Sequence, residues 1–238
     1  MKLENKTLFV SGANRGIGKA IVEALLKQQV KKIYAAAREI KDLPKFGDAR
    51  VVPVTLDITS QAQIKKAAGL AADVDVLINN AGALSPAGVV TGDPEMLMRD
   101  MQVNYFGTLN MVHSFAPIIE KNGGGAIANV ISVVGLAAMA GIGGYSASKA
   151  ALFSATQAMR AELKAKGISV HGIFPGPIDT DMARGFEIQK ASPESTADNI
   201  VKGILTGRED IFPDPMSAQV GEFWAKDPKG LEKQFAGM

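Results

Sequence analysis

Thr7-Leu-Phe-Val-Ser-Gly-Ala-Asn-Arg-Gly-Ile-Gly18 is the stretch on which the reading of this fold turns. Thr7 to Val10 is a short apolar strand, and glycines at 12, 16 and 18 then turn the chain tightly into a helical pattern near 16–28. Glycine lets the backbone approach a ligand closely. The exposed amides and dipole of a helix N-terminus meet negative charge, so strand, glycine turn and helix together can cradle a diphosphate. The candidate contacts are Gly12, Asn14, Arg15, Gly16, Ile17 and Gly18. The spacing, G-x-x-x-G-x-G, differs from the more familiar G-x-G-x-x-G, and a purely structural turn is the alternative.

Outward from this loop, short apolar runs alternate with longer helical segments. Strands are predicted at Thr7–Val10, Lys32–Ala36, Val51–Thr55, Val74–Ile78, Ile127–Ile131, Ser169–Phe174 and Asp210–Phe212. Helices are predicted near 16–28, 60–71, 94–120, 146–166 and 193–206, with Pro94 and Pro193 as openers. Several strands lack in/out alternation, as strands covered on both faces should. The rhythm predicts an α/β chain: a Rossmann-type, doubly wound domain with a mostly parallel seven-stranded sheet and helices on both faces. Neither a repeat nor a low-complexity linker divides the 238 residues, so one domain over 1–238 is expected. Such sheets bind ligands at the carboxyl ends of their strands, so the chemistry should follow each strand.

Composition narrows the function classes. With 26 Lys and Arg against 24 Asp and Glu, interspersed, the net charge of +2 gives no footprint for nucleic acid or a membrane surface. Zero cysteines exclude disulfides and a cysteine nucleophile and fit a reducing, cytoplasmic setting. The two histidines, His113 and His171, lack metal-ligand spacing, so no metal centre is expected. Glycine is the outlier at 25 residues, bunched at 12–18, 123–125 and 141–144; the middle cluster reads as a helix stop.

In a diphosphate-binding fold the cofactor is chosen at the end of the second strand, where a carboxylate would hold the ribose hydroxyls of NAD. Here the residues are Ala37-Arg38. Arg38, with Arg15 from the glycine loop, can pair with a 2′-phosphate, so NADP(H) is expected over NAD(H). Beyond the third strand, Asp57 and Ile58 are candidates to meet adenine; beyond the fourth come Asn80, Ala81 and Gly82. Asp57 as a helix cap and Asn79 as a tie between strands are the structural alternatives.

Tyr145-Ser-Ala-Ser-Lys149 puts a phenol and an ammonium on one helical face. Lowering a phenol from near 10 to about 7 takes roughly 4 kcal/mol, about what a cation ~4 Å away supplies at an effective dielectric near 20, so Lys149 helped by an oxidised nicotinamide is expected to be enough. The bare pattern is common, and an exposed pair is the alternative. Ser132, just past the fifth strand, can donate to a substrate carbonyl oxygen. Asn104 lies inside the long fourth helix, where asparagine is mildly unfavourable; it can fix a water that relays protons to Lys149, or merely bend its own helix.

These motifs together resemble the short-chain dehydrogenase/reductase family, in its branch of about 250 residues: Gly12-x-x-x-Gly16-x-Gly18, Asn79-Asn-Ala-Gly82, Asn104, Ser132, Tyr145-x-x-x-Lys149 and Pro175-Gly176 occur in order along nearly the whole chain. The resemblance implies that Tyr145 is the general acid in carbonyl reduction, that Ser132 orients the substrate, that Lys149 lowers the tyrosine pKa and holds the nicotinamide ribose, and that Asn104 supports a proton relay. It implies nicotinamide and diphosphate contacts from Pro175, Gly176, Ile178 and Thr180, and a homodimer or homotetramer formed through the helices near 94–120 and 146–166. Ser11 stands where the family usually has threonine, which keeps the hydroxyl.

The segment from Asp181 to Ser192 is shorter than in many relatives, which implies an open pocket. The expected lining, Val134, Ala138, Met139 and Ile142 with Met182 or Phe186, is apolar, although such residues are often plain core. The expected substrate is a small-molecule ketone or aldehyde. A 3-oxoacyl thioester reductase shares every motif, and a nicotinamide-binding sensor without catalysis is the rival of another class. Trp224 beside Phe223 is expected to dock on its own domain, and His171 to be structural.

Overall fold

The computed structural model describes residues 1–185 and 187–237. In chain order it runs β1 (Thr7–Ser11), α1 (Gly16–Leu26), β2 (Lys32–Ala37), β3 (Val51–Thr55), α2 (Gln61–Leu70), β4 (Val76–Asn79), α3 (Pro94–Asp100), a π-helical turn (Met101–Gly107) and α4 (Thr108–Lys121). It continues through β5 (Gly125–Val130), α5 (Gly143–Lys164), β6 (Ile168–Ile173), α6 (Pro193–Leu205), β7 (Asp210–Ile211), α7 (Pro215–Lys226) and α8 (Pro228–Ala236). The seven strands form one sheet in the order β3-β2-β1-β4-β5-β6-β7, and every pairing is parallel. This is the doubly wound arrangement that the strand–helix rhythm predicts. The order reverses between β1 and β4, which opens a crevice at their carboxyl ends.

The central strand shows why alternation was missing from the sequence. Leu8 and Val10 of β1 point into a core shared with α1 and α6, while Phe9 points into a second core under α2, α4 and α5. Both faces are apolar because both are covered. The Phe9 ring lies 4.8 Å from that of Phe115 on α4, centroid to centroid; truncating either to alanine should cost about 3–5 kcal/mol.

Most predicted element boundaries differ by one to three residues. Two differences are larger. The segment predicted as one helix over 94–120 is interrupted by the π turn, which holds Asn104. The tail after Pro213 forms two helices, each opened by an aspartate cap followed by proline, Asp214-Pro215 and Asp227-Pro228. They cover a third core, where Trp224 meets Phe153 at 5.8 Å between ring centroids, as the docking expectation required. His171 is buried between Ser169 and the Arg208 carbonyl, a satisfied structural residue. Among the described residues, no helix is long and apolar enough to cross a membrane.

Candidate active site

The glycine loop forms the first wall of the crevice. Gly12 and Gly16 adopt φ of +66° and +54°, which side chains rarely tolerate. Gly18 is needed for space: a Cβ there would lie 2.1 Å from the Gly12 carbonyl oxygen and 2.4 Å from Asn80 Nδ2. The loop is braced from the neighbouring strand. Asn80 Nδ2 donates to the carbonyls of Ser11 and Gly12, while the Ser11 hydroxyl accepts from the amides of Asn80 and Ala81. Sequence reading placed Asn80 against a cofactor; the structure commits its amide nitrogen to shaping the loop. The Ser11 and Asn80 signal was available in their positions at the carboxyl ends of adjacent strands. The backbone-only approach across Gly12, Gly16 and Gly18 fits a diphosphate group.

Around this cradle, Arg38 is exposed directly after β2, ahead of the exposed Glu39, and the strand itself ends on alanines. Arg15 is also exposed, but its Nη1 lies 3.0 Å from Asp181, which Arg184 contacts as well. Asn14 and Ile17 are partly exposed at the mouth. Asp57 Oδ1 accepts from the Thr59 amide and hydroxyl in a local turn, and α2 is capped by Ser60 instead. Ile58 is buried against Gly107 of the π turn. Asn79 donates to Asn129 Oδ1 at 2.9 Å, tying β4 to β5, and its own Oδ1 is buried without a partner.

The opposite wall carries the acid–base groups. Tyr145 and Lys149 lie one turn apart near the start of α5, both buried, with Lys149 Nζ 5.6 Å from the Tyr145 ring centroid and donating to the Val130 carbonyl at 2.8 Å. Ser132 follows β5; its hydroxyl accepts from the Val134 amide and faces the Tyr145 phenol. Asn104 makes three side-chain hydrogen bonds: it accepts from the Ala83 amide and donates to the Ala83 carbonyl and to Ser148 Oγ, which in turn donates to the Tyr145 carbonyl. Both amide hydrogens of Asn104 are thus committed to protein, so its side chain fixes Ala83 and Ser148 beside the Tyr145–Lys149 pair. Ser148 was missed in the sequence, although its place three residues after Tyr145 marks it for such a contact.

Whereas the expected lowering of the phenol pKa relied on Lys149 together with an oxidised nicotinamide, in the chain by itself burial dominates the electrostatics of both groups. It pushes the Tyr145 hydroxyl well above its ordinary value, against the pull of Ser132, and brings Lys149 down to about 8. The phenol therefore holds its proton, as a donor must.

The third wall follows β6. Pro175 is buried and its carbonyl accepts from the Val133 amide; the Gly176 amide donates to Asp214; Ile178 bridges to Ala191; and Thr180 lies against Gly16. Of the expected apolar lining, Val134 and Ile142 are core, Met139 packs on that core, and Ala138 and Met182 are exposed; Phe186 lies outside the described residues. Sequence reading missed Val89 and Val90, exposed at 63% and 95%, with Val89 packed on Gly143 beside Tyr145. Among the described residues, no group of three His, Asp or Glu could hold a metal ion.

Known proteins are similar to this chain in sequence and fold. The sequence pattern of the short chain dehydrogenase family matches residues 6–191. A short chain dehydrogenase from Burkholderia cenocepacia J2315, solved in complex with NADP, is 37% identical and superposes with a TM-score of 0.93 over 99% of each chain. The 3-oxoacyl-[acyl-carrier-protein] reductase FabG of Thermotoga maritima is 32% identical over 242 residues, covering 95% of this chain and 93% of the relative. Sorbitol dehydrogenase of Cereibacter sphaeroides is 33% identical over 205 residues, covering 82% and 79%. The chain belongs to the short-chain dehydrogenase/reductase family of oxidoreductases.

Proposed function

We propose that the chain, as a single domain over residues 1–238, is an NADP(H)-dependent reductase of ketones or aldehydes, with alcohol oxidation as the linked reverse reaction. The observation that carries this reading is the convergence of Ser132 with the buried Tyr145 and Lys149 at the end of the sheet that also bears the glycine cradle. The cofactor, when bound, supplies the hydride. Ser132 donates a hydrogen bond to the substrate oxygen, and Tyr145 gives that oxygen its proton, so carbonyl plus hydride plus proton yields the alcohol. Lys149 and the backbone after Pro175 hold the nicotinamide end, the glycine loop the diphosphate, and Arg38 with Arg15 the 2′-phosphate. The NADP complex of the Burkholderia relative supports this choice of cofactor.

NADPH oxidation against aryl ketones, aldehydes, diketones and acyl thioesters tests the substrate class, with turnover expected on apolar ketones or aldehydes. Arg38→Asp should lower the preference for NADPH over NADH by about 10–100-fold, the value of one or two charge-assisted hydrogen bonds; an unchanged ratio of affinities sinks the cofactor assignment. Similarity to the Thermotoga reductase over 95% of this chain favours 3-oxoacyl thioesters as the second reading, and the thioester arm of the panel decides it. The proposed setting is the cytoplasm, and the proposed assembly is a homodimer or homotetramer through α4 and α5, to be read by sedimentation.

A further inference from the structure

Asp100, the last residue of α3, is 0% exposed. Its Oδ2 accepts from the Ser85 amide at 3.1 Å and its Oδ1 from the Ser85 hydroxyl at 3.0 Å. One turn later, Asn104 grips Ala83 by its amide and carbonyl. The two side chains therefore clamp alternate residues of the segment that leaves β4. That segment forms the floor beneath Lys149: a Cβ on Gly82 would lie 3.0 Å from Asn104 Oδ1 and 3.6 Å from Lys149 Nζ.

The clamp itself does not call for a charge. An asparagine at position 100 could accept from the Ser85 amide and donate to the Ser85 hydroxyl, as Asn104 both accepts and donates at Ala83. A buried carboxylate is costly unless an opposite charge answers it, and burial does raise the Asp100 pKa, against the hydrogen bonds from Ser85 and the pull of Arg99 and Lys149 that favour its ionised form. The charged and titratable groups that act on Asp100, or on which it acts, are Arg99 from its own helix and Lys149 and Tyr145 from α5, while the clamped segment contributes only Ser85. Arg99 sits toward solvent, so the buried cation is Lys149.

We propose that Asp100 is a positioning residue for the Tyr145–Lys149 pair, supplying the buried counter-charge that keeps Lys149 an ammonium while fixing the floor beneath it. The inference rests on the acid–base roles proposed above for that pair. Burial draws Lys149 down, and the Asp100 carboxylate opposes that pull; the same charge helps keep the Tyr145 phenol protonated. Removing the charge lowers both groups.

Asp100→Asn removes the charge and keeps both hydrogen bonds. In the pH profile of kcat/KM for NADPH-dependent reduction, its basic limb should fall about one pH unit below that of the wild type. A second measurement needs no turnover. A lysine held low in the fold makes stability rise with pH from its folded value up to its unfolded value near 10.5, and in Asp100→Asn that rise should begin about one pH unit lower. The difference should vanish when Lys149→Met is present in both proteins. Ser85→Ala, which weakens the clamp and keeps the carboxylate, should leave the onset in place. An onset unmoved in Asp100→Asn overturns the proposal; so does an equal movement in Ser85→Ala. A moved onset without turnover on any carbonyl supports the pairing and sinks the proposed reaction instead.

Discussion

Two tyrosines in this chain each sit beside a lysine and an aspartate, at opposite ends of one sheet, and they are held in different ways. At the amino end, Tyr34 Oη lies 3.2 Å from Lys32 Nζ, 2.9 Å from Asp73 Oδ1 and 3.2 Å from the Leu70 carbonyl, and Lys32 is 2.8 Å from Asp73. Each group there satisfies another. The hydrogen bond that Lys32 donates to Asp73 holds the Lys32 pKa above its ordinary value, and although burial pushes Asp73 upward, the bonds it accepts from Lys32 and Tyr34 win and hold it low. At the carboxyl end, Lys149 gives its hydrogen bond to a backbone carbonyl, Asp100 takes its own from Ser85, and burial brings Lys149 down to about 8. Ions that neutralise one another directly in a half-wet site are settled. Charges kept apart in a dry one remain available to a ligand, at the cost of their solvation.

The sharpest way to break this contrast is to remove the hydroxyl at the carboxyl end. Tyr145→Phe should lower kcat/KM for carbonyl reduction by about 10²–10⁴-fold, the usual worth of a positioned general acid. NADPH binding, followed by its fluorescence, should survive, because the glycine loop and arginines are untouched. Turnover that persists unchanged would show that the buried phenol is no more chemical than Tyr34.

The two lysines should also titrate apart. Lys149, held near 8, is charged below that pH and neutral above it, so reduction should fall about tenfold per pH unit on the alkaline side. For stability the signs oppose. The depressed Lys149 makes the fold more stable as pH rises from about 8 toward the unfolded lysine value; Lys32, raised by Asp73, contributes stability that is complete below that value and lost as pH passes its folded value. Kinetics that stay flat through pH 9 would remove Lys149 from the reacting centre.

Which tyrosine–lysine pair to propose for the chemistry was legible before the fold was known, because Tyr145 and Lys149 stand i,i+4 at the opening of a helix that follows a strand, whereas Lys32 and Tyr34 open a strand at the other end of the sheet. The glycine loop was legible for the same reason: strand, turn and helix are local, and local order is written in adjacent residues. What escaped was long-range. Asp100 and Ser85 are fifteen residues apart, and nothing in either neighbourhood says that one closes on the other. The π turn escaped because its apolar spacing reads as ordinary helix, and the direction of the pKa shifts escaped because burial is a property of the packed sheet. The tail helices are different: Asp-Pro at 214–215 and at 227–228 are helix openers that a closer reading of the sequence could have used.

The smallest expected effect is the one that best tests why the amino-end trio is inert. Tyr34→Phe leaves the ring in place, stacked 6.1 Å from Phe9 in the second core, and leaves the Lys32–Asp73 pair intact. Only the hydroxyl bridge is lost. A hydrogen bond of this kind contributes about 1 kcal/mol net, so thermal denaturation should shift by roughly 2–4 °C for a chain of this size. Neither kcat/KM nor its pH profile should move, because the sheet separates Tyr34 from the crevice and its charged neighbours already answer each other. A tenfold loss of kcat/KM without a matching loss of stability would mean that the amino end is coupled to the crevice through the strands, and that direct pairing does not by itself silence a tyrosine.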